Sequence, residues 1–120
     1  MRGLTVILAE PAPARLRAAL SLGCAVAALG GRARLFLHEE AASLLASPLT
    51  SPADARRAAA GLPTLAELFY EALSMPVEII VCQSGLTLAG LAADRLDPRI
   101  VAGGLVGVVA TVADDRILLA

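Results

Sequence analysis

Apolar and polar residues follow two rhythms along this chain, and the rhythm switches repeatedly from the period of a strand to that of a helix. Leu4 to Ala9 is a short β-prone run that ends at Glu10 and Pro11. From Pro13 to Leu29 the apolar positions Leu16, Leu20, Cys24 and Ala27/Ala28 recur at helical spacing, and Gly30-Gly31 supplies a stop. Arg34 to Leu37 reads as a second strand, after which His38-Glu39-Glu40 opens a short helix to about Ala46. Ser47 to Pro63, with Pro48, Pro52 and Pro63, is the least regular stretch, with a helical turn or two expected around Ala53 to Ala60. Thr64-Leu65-Ala66-Glu67 has the form of a capping box, and Leu65, Leu68, Phe69 and Ala72 form the stripe to be buried.

Val77 to Val81 is a third strand whose unbroken apolar character fits a sheet covered on both faces. Ser84 is then placed to cap a helix reaching Ala93, and Ile100-Val101 is a brief strand. Gly103-Gly104 turns into a helix to Ala113, and Arg116 to Leu119 completes the pattern. Strand-then-helix alternation predicts an α/β fold: a three-layer α/β/α sandwich with a mostly parallel sheet of about five strands. At 120 residues the chain has the length of one domain. Ligands of open α/β sheets gather at the carboxyl ends of the strands. Four features fall there: Glu10, His38-Glu39-Glu40, Cys82-Gln83-Ser84 and Gly103-Gly104.

Composition changes this picture in one respect. Hydrophobic residues make up 58% of the chain and the mean hydropathy is +0.75, against about 45 to 50% apolar residues in soluble proteins generally. The longest uncharged stretches, Ala18 to Gly31, Ile79 to Ala93 and Ile100 to Ala113, fall short of the roughly 20 apolar residues a membrane span needs. The amino terminus lacks the shape of a signal peptide. The expectation is a cytoplasmic protein without a membrane span, whose surplus apolar surface is hidden in a homo-oligomer.

Charge excludes several partners and chemistries. The net charge is -1, and the basic residues are scattered from Arg2 to Arg116, with aromatics confined to Phe36, Phe69 and Tyr70. Neither a basic stripe nor a stacking platform for nucleic acid is present. Every basic residue is arginine, which removes Schiff-base chemistry and the lysine of a phosphate-binding loop. His38 is the single histidine.

Cys82 carries the strongest candidate chemistry. A sulfur just ahead of a helix lies beside unpaired backbone N–H groups and the positive end of the helix dipole, which favours the thiolate. The competing reading is a small buried residue at a strand end. Cys24, in the middle of a helical stripe, reads as core, and the two cysteines do not form a CxxC pair. A zinc site from Cys24, Cys82 and His38 would need a mid-helix ligand to meet two strand-end ligands, so neither a metal nor a cofactor is expected. Ser84 lacks the flanking glycines of a nucleophile elbow and is better explained as a cap. His38 with Glu39 or Glu40 would be either a proton-transferring group near Cys82 or a solvated loop. Gly103-Gly104 would either admit an anion to backbone N–H groups or simply pack tightly.

From Leu62 to Ala120, "LPTLAELFYEALSMPVEIIVCQSGLTLAGLAADRLDPRIVAGGLVGVVATVADDRILLA", the chain resembles the second half of the DsrE/DsrF-like proteins. The shared order is a helix, a strand ending in a cysteine, a helix, then a Gly-Gly turn opening the last helix and strand. The opening strand, the long helix and "RLFLHEE" fit the first half. This resemblance implies a small α/β sandwich assembled as trimers or hexamers, with persulfide held on Cys82 and passed from a sulfur donor protein to an acceptor. Gln83, Ser84 and nearby backbone donors would then stabilise the anion, with His38 assisting proton movement. The rival reading is a non-catalytic oligomeric module that binds a small anionic ligand or a partner protein at the same strand ends. A thiol peroxidase is the third, but Ile79, Ile80 and Val81 stand where such an enzyme has a threonine ahead of its cysteine.

Overall fold

The computed structural model describes residues 1–120. Its strands are β1 (Leu4–Leu8), β2 (Ala33–Leu37), β3 (Glu78–Cys82), β4 (Val101–Gly103) and β5 (Arg116–Leu119). They form one sheet in the order β4-β3-β2-β1-β5, and every pairing is parallel. The α-helices are α1 (Pro13–Ala28), α2 (Asp54–Ala59), α3 (Leu65–Ser74), α4 (Gln83–Ala89) and α5 (Leu105–Ala110), with a 3₁₀ segment at Glu39–Leu45 and a single 3₁₀ turn at Ala93–Arg95. No helix is long and apolar enough to cross a membrane.

Local chemistry explains most element ends. Pro13 begins α1, where its missing N–H costs nothing, and Gly30 follows the helix in the left-handed region at φ 83°. The capping box at α3 forms: Thr64 Oγ1 accepts from the Glu67 backbone N–H at 3.3 Å, and the Glu67 carboxylate accepts from that of Thr64 at 2.9 Å. These bonds hold the Glu67 carboxyl below its usual pKa. The stripe Leu65, Leu68, Phe69 and Ala72 is buried as expected, joined by Leu73.

Connection handedness decides where the helices lie. From β1 through β4 the chain steps in one direction across the sheet, and right-handed crossovers put α1, α3 and α4 on the same face. Their apolar sides meet Val6, Leu8, Leu35, Leu37, Ile79 and Val81 in a core cluster of 20 buried residues. The last crossover steps back from β4 to β5, so α5 crosses the opposite face. There Phe36, Ile80, Cys82 and Val108 form a cluster of 4 buried residues, with Ile7 packed against it. The third layer is therefore one helix of 6 residues.

A polar network anchors that helix. Arg34, buried on β2, donates to Thr5 Oγ1 at 3.0 Å, to Thr111 Oγ1 at 2.8 Å and to the Val108 carbonyl at 3.1 Å. Thr5 in turn donates to the buried Asp115 carboxylate at 2.8 Å. Arg34 lies 3.7 Å and Arg32 3.3 Å from the same carboxylate. The guanidinium thus faces the carboxyl end of α5, where a cation is favoured.

Several expectations need correction. The last helix ends at Ala110 rather than Ala113, and β4 spans Val101–Gly103 rather than Ile100-Val101. The helix after β3 ends at Ala89 rather than Ala93, because Gly90 turns left-handed at φ 69°. Its N-cap residue is Cys82 and not Ser84. Cys24 is only half-buried at the edge of the core, while its neighbour Gly23 takes the crossing position, where a Cβ would lie 3.2 Å from a Val77 methyl. Burial, and then the charge of Glu71, raise the Cys24 thiol pKa.

Candidate functional site

Strand register builds the site. Leu37 pairs with Val81, so His38 and Cys82 occupy the next positions along β2 and β3, and Cys82 pairs in turn with Gly103 on β4. Side chains alternate along a strand. Cys82 therefore shares a face with Ile80, and His38 with Phe36, on the side that α5 covers. The Phe36 and His38 rings lie 5.7 Å apart between centroids at 41°.

Glu39 completes the group. One ligand-type atom from each of His38, Glu39 and Cys82 lies within 4.8 Å of the other two. Glu39 starts the 3₁₀ segment in the left-handed region at φ 50°, an uncommon conformation for a residue with a Cβ. Gly85 of α4 packs directly against its backbone. A Cβ at that position would run into the Glu39 carbonyl and stand 2.8 Å from the Ala42 Cβ. Only glycine lets α4 lie backbone to backbone against the segment that carries Glu39.

The polar balance of the group is incomplete. His38 is half-buried, and its Nδ1 is shielded from solvent with no hydrogen-bond partner. Its backbone is fixed, with the N–H donating to the Leu8 carbonyl at 2.9 Å. Cys82 is 5% exposed, against the expectation of a water-accessible sulfur, because Phe36, Ile80 and Val108 close over it. Its side chain makes no capping hydrogen bond at α4.

The other expected site residues separate into two groups. Gly103 adjoins Cys82 through the sheet, and Gly104 is the N-cap of α5. Gln83 and Ser84 occupy the first turn of α4 with exposed side chains, while Glu40 is exposed and its carbonyl accepts from Ser43 Oγ at 2.8 Å. Glu10, at the end of β1, instead pairs with Arg15 at 3.7 Å on the surface. Sequence reasoning missed Gly85 as the residue that seats Glu39. The glycine in "CQSGL" was visible, but its meaning depends on which backbone it faces.

These features define a small all-parallel α/β protein with a cysteine, a histidine and a carboxylate gathered over the ends of two adjacent interior strands. Among solved structures, the YchN protein from E. coli shares the fold, with a TM-score of 0.71 over 100% of both chains at 20% sequence identity. No protein-family profile matches the sequence, and no curated protein matches it.

Proposed function

We propose that the protein is a cysteine-dependent sulfur carrier of the DsrE/DsrF-like kind, with Cys82 as the carrying residue. The observation that carries this reading is the approach of His38 and Glu39 to within 4.8 Å of the Cys82 sulfur at adjoining strand ends. The resemblance of Leu62 to Ala120 to those proteins supports it, as does the fold shared with YchN.

In the loading step His38 accepts the Cys82 thiol proton. The thiolate attacks the outer sulfur of a donor persulfide, the donor S–S bond breaks, and the leaving donor thiolate takes the proton back from the imidazolium. An acceptor thiolate then attacks the sulfur held on Cys82, and the Cys82 thiolate leaves. In this reading the backbone N–H groups around Gly103, which adjoins Cys82 in the sheet, and Gly104 stabilise the carried anion, while the exposed Gln83 and Ser84 side chains contribute only when the sulfur is uncovered. Because Val108 covers the sulfur, loading requires α5 to yield.

The carrier works as a homo-oligomer, a trimer or hexamer in this reading. Exposed Val101, Val106, Val109, Ile117 and Leu119, all on β4, α5 or β5, are the surface it would hide. The same exposed surface, together with the buried sulfur, favours the second reading of a non-catalytic oligomeric module.

Incubation with a small persulfide donor followed by intact mass measurement separates the two. A gain of one sulfur atom that disappears in Cys82→Ala and persists in Cys24→Ala is expected. An unchanged mass in the wild-type protein would leave the module.

A further inference from the structure

We infer that His38, Glu39 and Cys82 form a binding site for a thiophilic divalent cation of the zinc class. It stands on the donor set alone and does not rest on the sulfur-carrier reading. An imidazole nitrogen, a carboxylate oxygen and a thiol sulfur are the three kinds of protein ligand zinc takes, and open zinc sites use three of them with the fourth position free. Magnesium and calcium, which prefer an all-oxygen shell, do not suit a thiolate.

Geometry and polarity agree with this assignment. Bond lengths of about 2.0 to 2.3 Å place the ligand atoms of a tetrahedral site roughly 3.3 to 3.8 Å apart. The trio already lies within 4.8 Å, and the exposed Glu39 side chain is free to close the remaining distance. The buried, unpartnered His38 Nδ1 is a polar atom that lacks any protein group to satisfy it. The left-handed backbone of Glu39, wedged against Gly85, turns its side chain out of the 3₁₀ segment beside the two strand ends. A zinc site was not expected from the sequence because Cys24 was weighed as the third ligand. Cys24 lies on α1, across the sheet from Cys82, and Glu39 takes that place.

Binding exchanges one bond for another without oxidation or reduction. The Cys82 S–H bond breaks, the sulfur–metal bond forms, and the proton passes to solvent. The bound cation draws electron density from the thiolate, so metal occupancy lowers the reactivity of Cys82 toward a sulfur donor.

Cobalt(II) is the probe. Titration of the reduced protein is expected to give one equivalent of tetrahedral cobalt with a thiolate-to-metal charge-transfer band, displaced by zinc. Cys82→Ser abolishes the band and Cys24→Ser keeps it. Glu39→Gln, at an exposed position that leaves the fold intact, weakens binding by at least about tenfold, the loss already seen when outer-shell partners are removed. Absence of the band in the wild-type protein, its survival in Cys82→Ser, or unchanged affinity in Glu39→Gln would overturn the assignment. A cobalt band without a sulfur adduct defeats the carrier reading alone, and an adduct without the band defeats this one.

Discussion

The two faces of the sheet are built from the same five strands and held by different forces. On the α1/α3 face the strands present Leu, Val and Ile to long helices, and 20 residues are buried in one cluster. On the α5 face only 4 apolar residues are buried in a cluster, a charged network of buried Thr5, Arg34 and Asp115 supplements them, and Val106 is left 85% and Leu119 71% exposed. The difference follows from connection handedness, because only one crossover runs backward. Cys82 belongs to the second face, and so does its chemistry: the sulfur is covered by a short helix that a polar anchor, not a core, keeps in place.

One of the two largest expected effects strikes that anchor. Burial, followed by the charge of Arg32, lowers the Arg34 guanidinium pKa, yet the group stays charged. Arg34→Met leaves Asp115 buried with only Thr5 and Arg32 and strips α5 of two hydrogen bonds. Removing one member of a buried pair costs about 3 to 5 kcal/mol, and the remaining Arg32 contact puts this variant near the lower end. Urea denaturation measures it. Replacing both partners in Arg34→Met/Asp115→Leu should recover much of the loss, since an apolar substitute for a whole buried pair is often neutral. A single-variant cost below about 1 kcal/mol, the range of exposed pairs, would mean the network holds nothing.

The packed face responds to volume instead. Leu20→Ala opens a cavity in the large cluster, where Leu20 is fully buried, and should cost about 2 to 5 kcal/mol. Val106→Ser on α5 should change the stability of the single chain by no more than about 0.5 kcal/mol. Its effect belongs to assembly: light scattering should give the wild-type protein a mass well above 12.2 kDa and the Val106→Ser variant a smaller one. A wild-type protein at 12.2 kDa would make the second face a true outer surface.

How far the sequence carried the reading depended on the range of the interaction. Patterns within one element were readable: the Thr64/Glu67 box, the α3 stripe and β5 at Arg116–Leu119 all lie where periodicity and capping place them. Features set by a partner distant in sequence were not. Arg34 was visible only as the first residue of a strand, and its bonds to Thr5, Val108 and Thr111 and its approach to Asp115 depend on segments far along the chain. The helix after Cys82 was drawn too long, because Gly90 and Gly107 look alike in sequence, while only Gly90 takes a positive φ. At the site, Cys82 and His38 were identified as candidates, but neither their adjacency nor the burial of the sulfur could be read before the strand order was known.

Gly85→Ala tests how the site is seated. The new methyl would meet the Glu39 carbonyl and the Ala42 side chain, and overpacking of this kind costs about 1 to 3 kcal/mol. The 3₁₀ segment must move, carrying Glu39 away from Cys82, so cobalt binding should weaken along with stability. A stable variant with unchanged cobalt affinity would show that close packing of α4 on Glu39–Leu45 does not position the trio.

The smallest effect concerns β4, the short edge strand beside Cys82. Asp97, in the turn before it, accepts from the Arg99 side chain at 2.9 and 3.0 Å and from the Arg99 backbone N–H at 2.9 Å. Those bonds, the side-chain ones first, lower its pKa to about 2. A carboxyl whose folded pKa lies below its unfolded value of about 3.9 stabilises the fold above that value, and the contribution disappears as pH falls through about 2. The group is half-buried at the surface and its arginine partner is exposed, so solvent screening keeps the contribution small. Side-chain carboxyl NMR of Asp97 should show a midpoint near 2, and Arg99→Ala should return it toward about 3.9. As pH drops through the wild-type midpoint, amide protection should weaken at Val101–Gly103 before it weakens in β1 or β2, whose neighbours are packed on both sides. Equal loss in all strands would erase the distinction between a face held by packing and one held by local polar contacts.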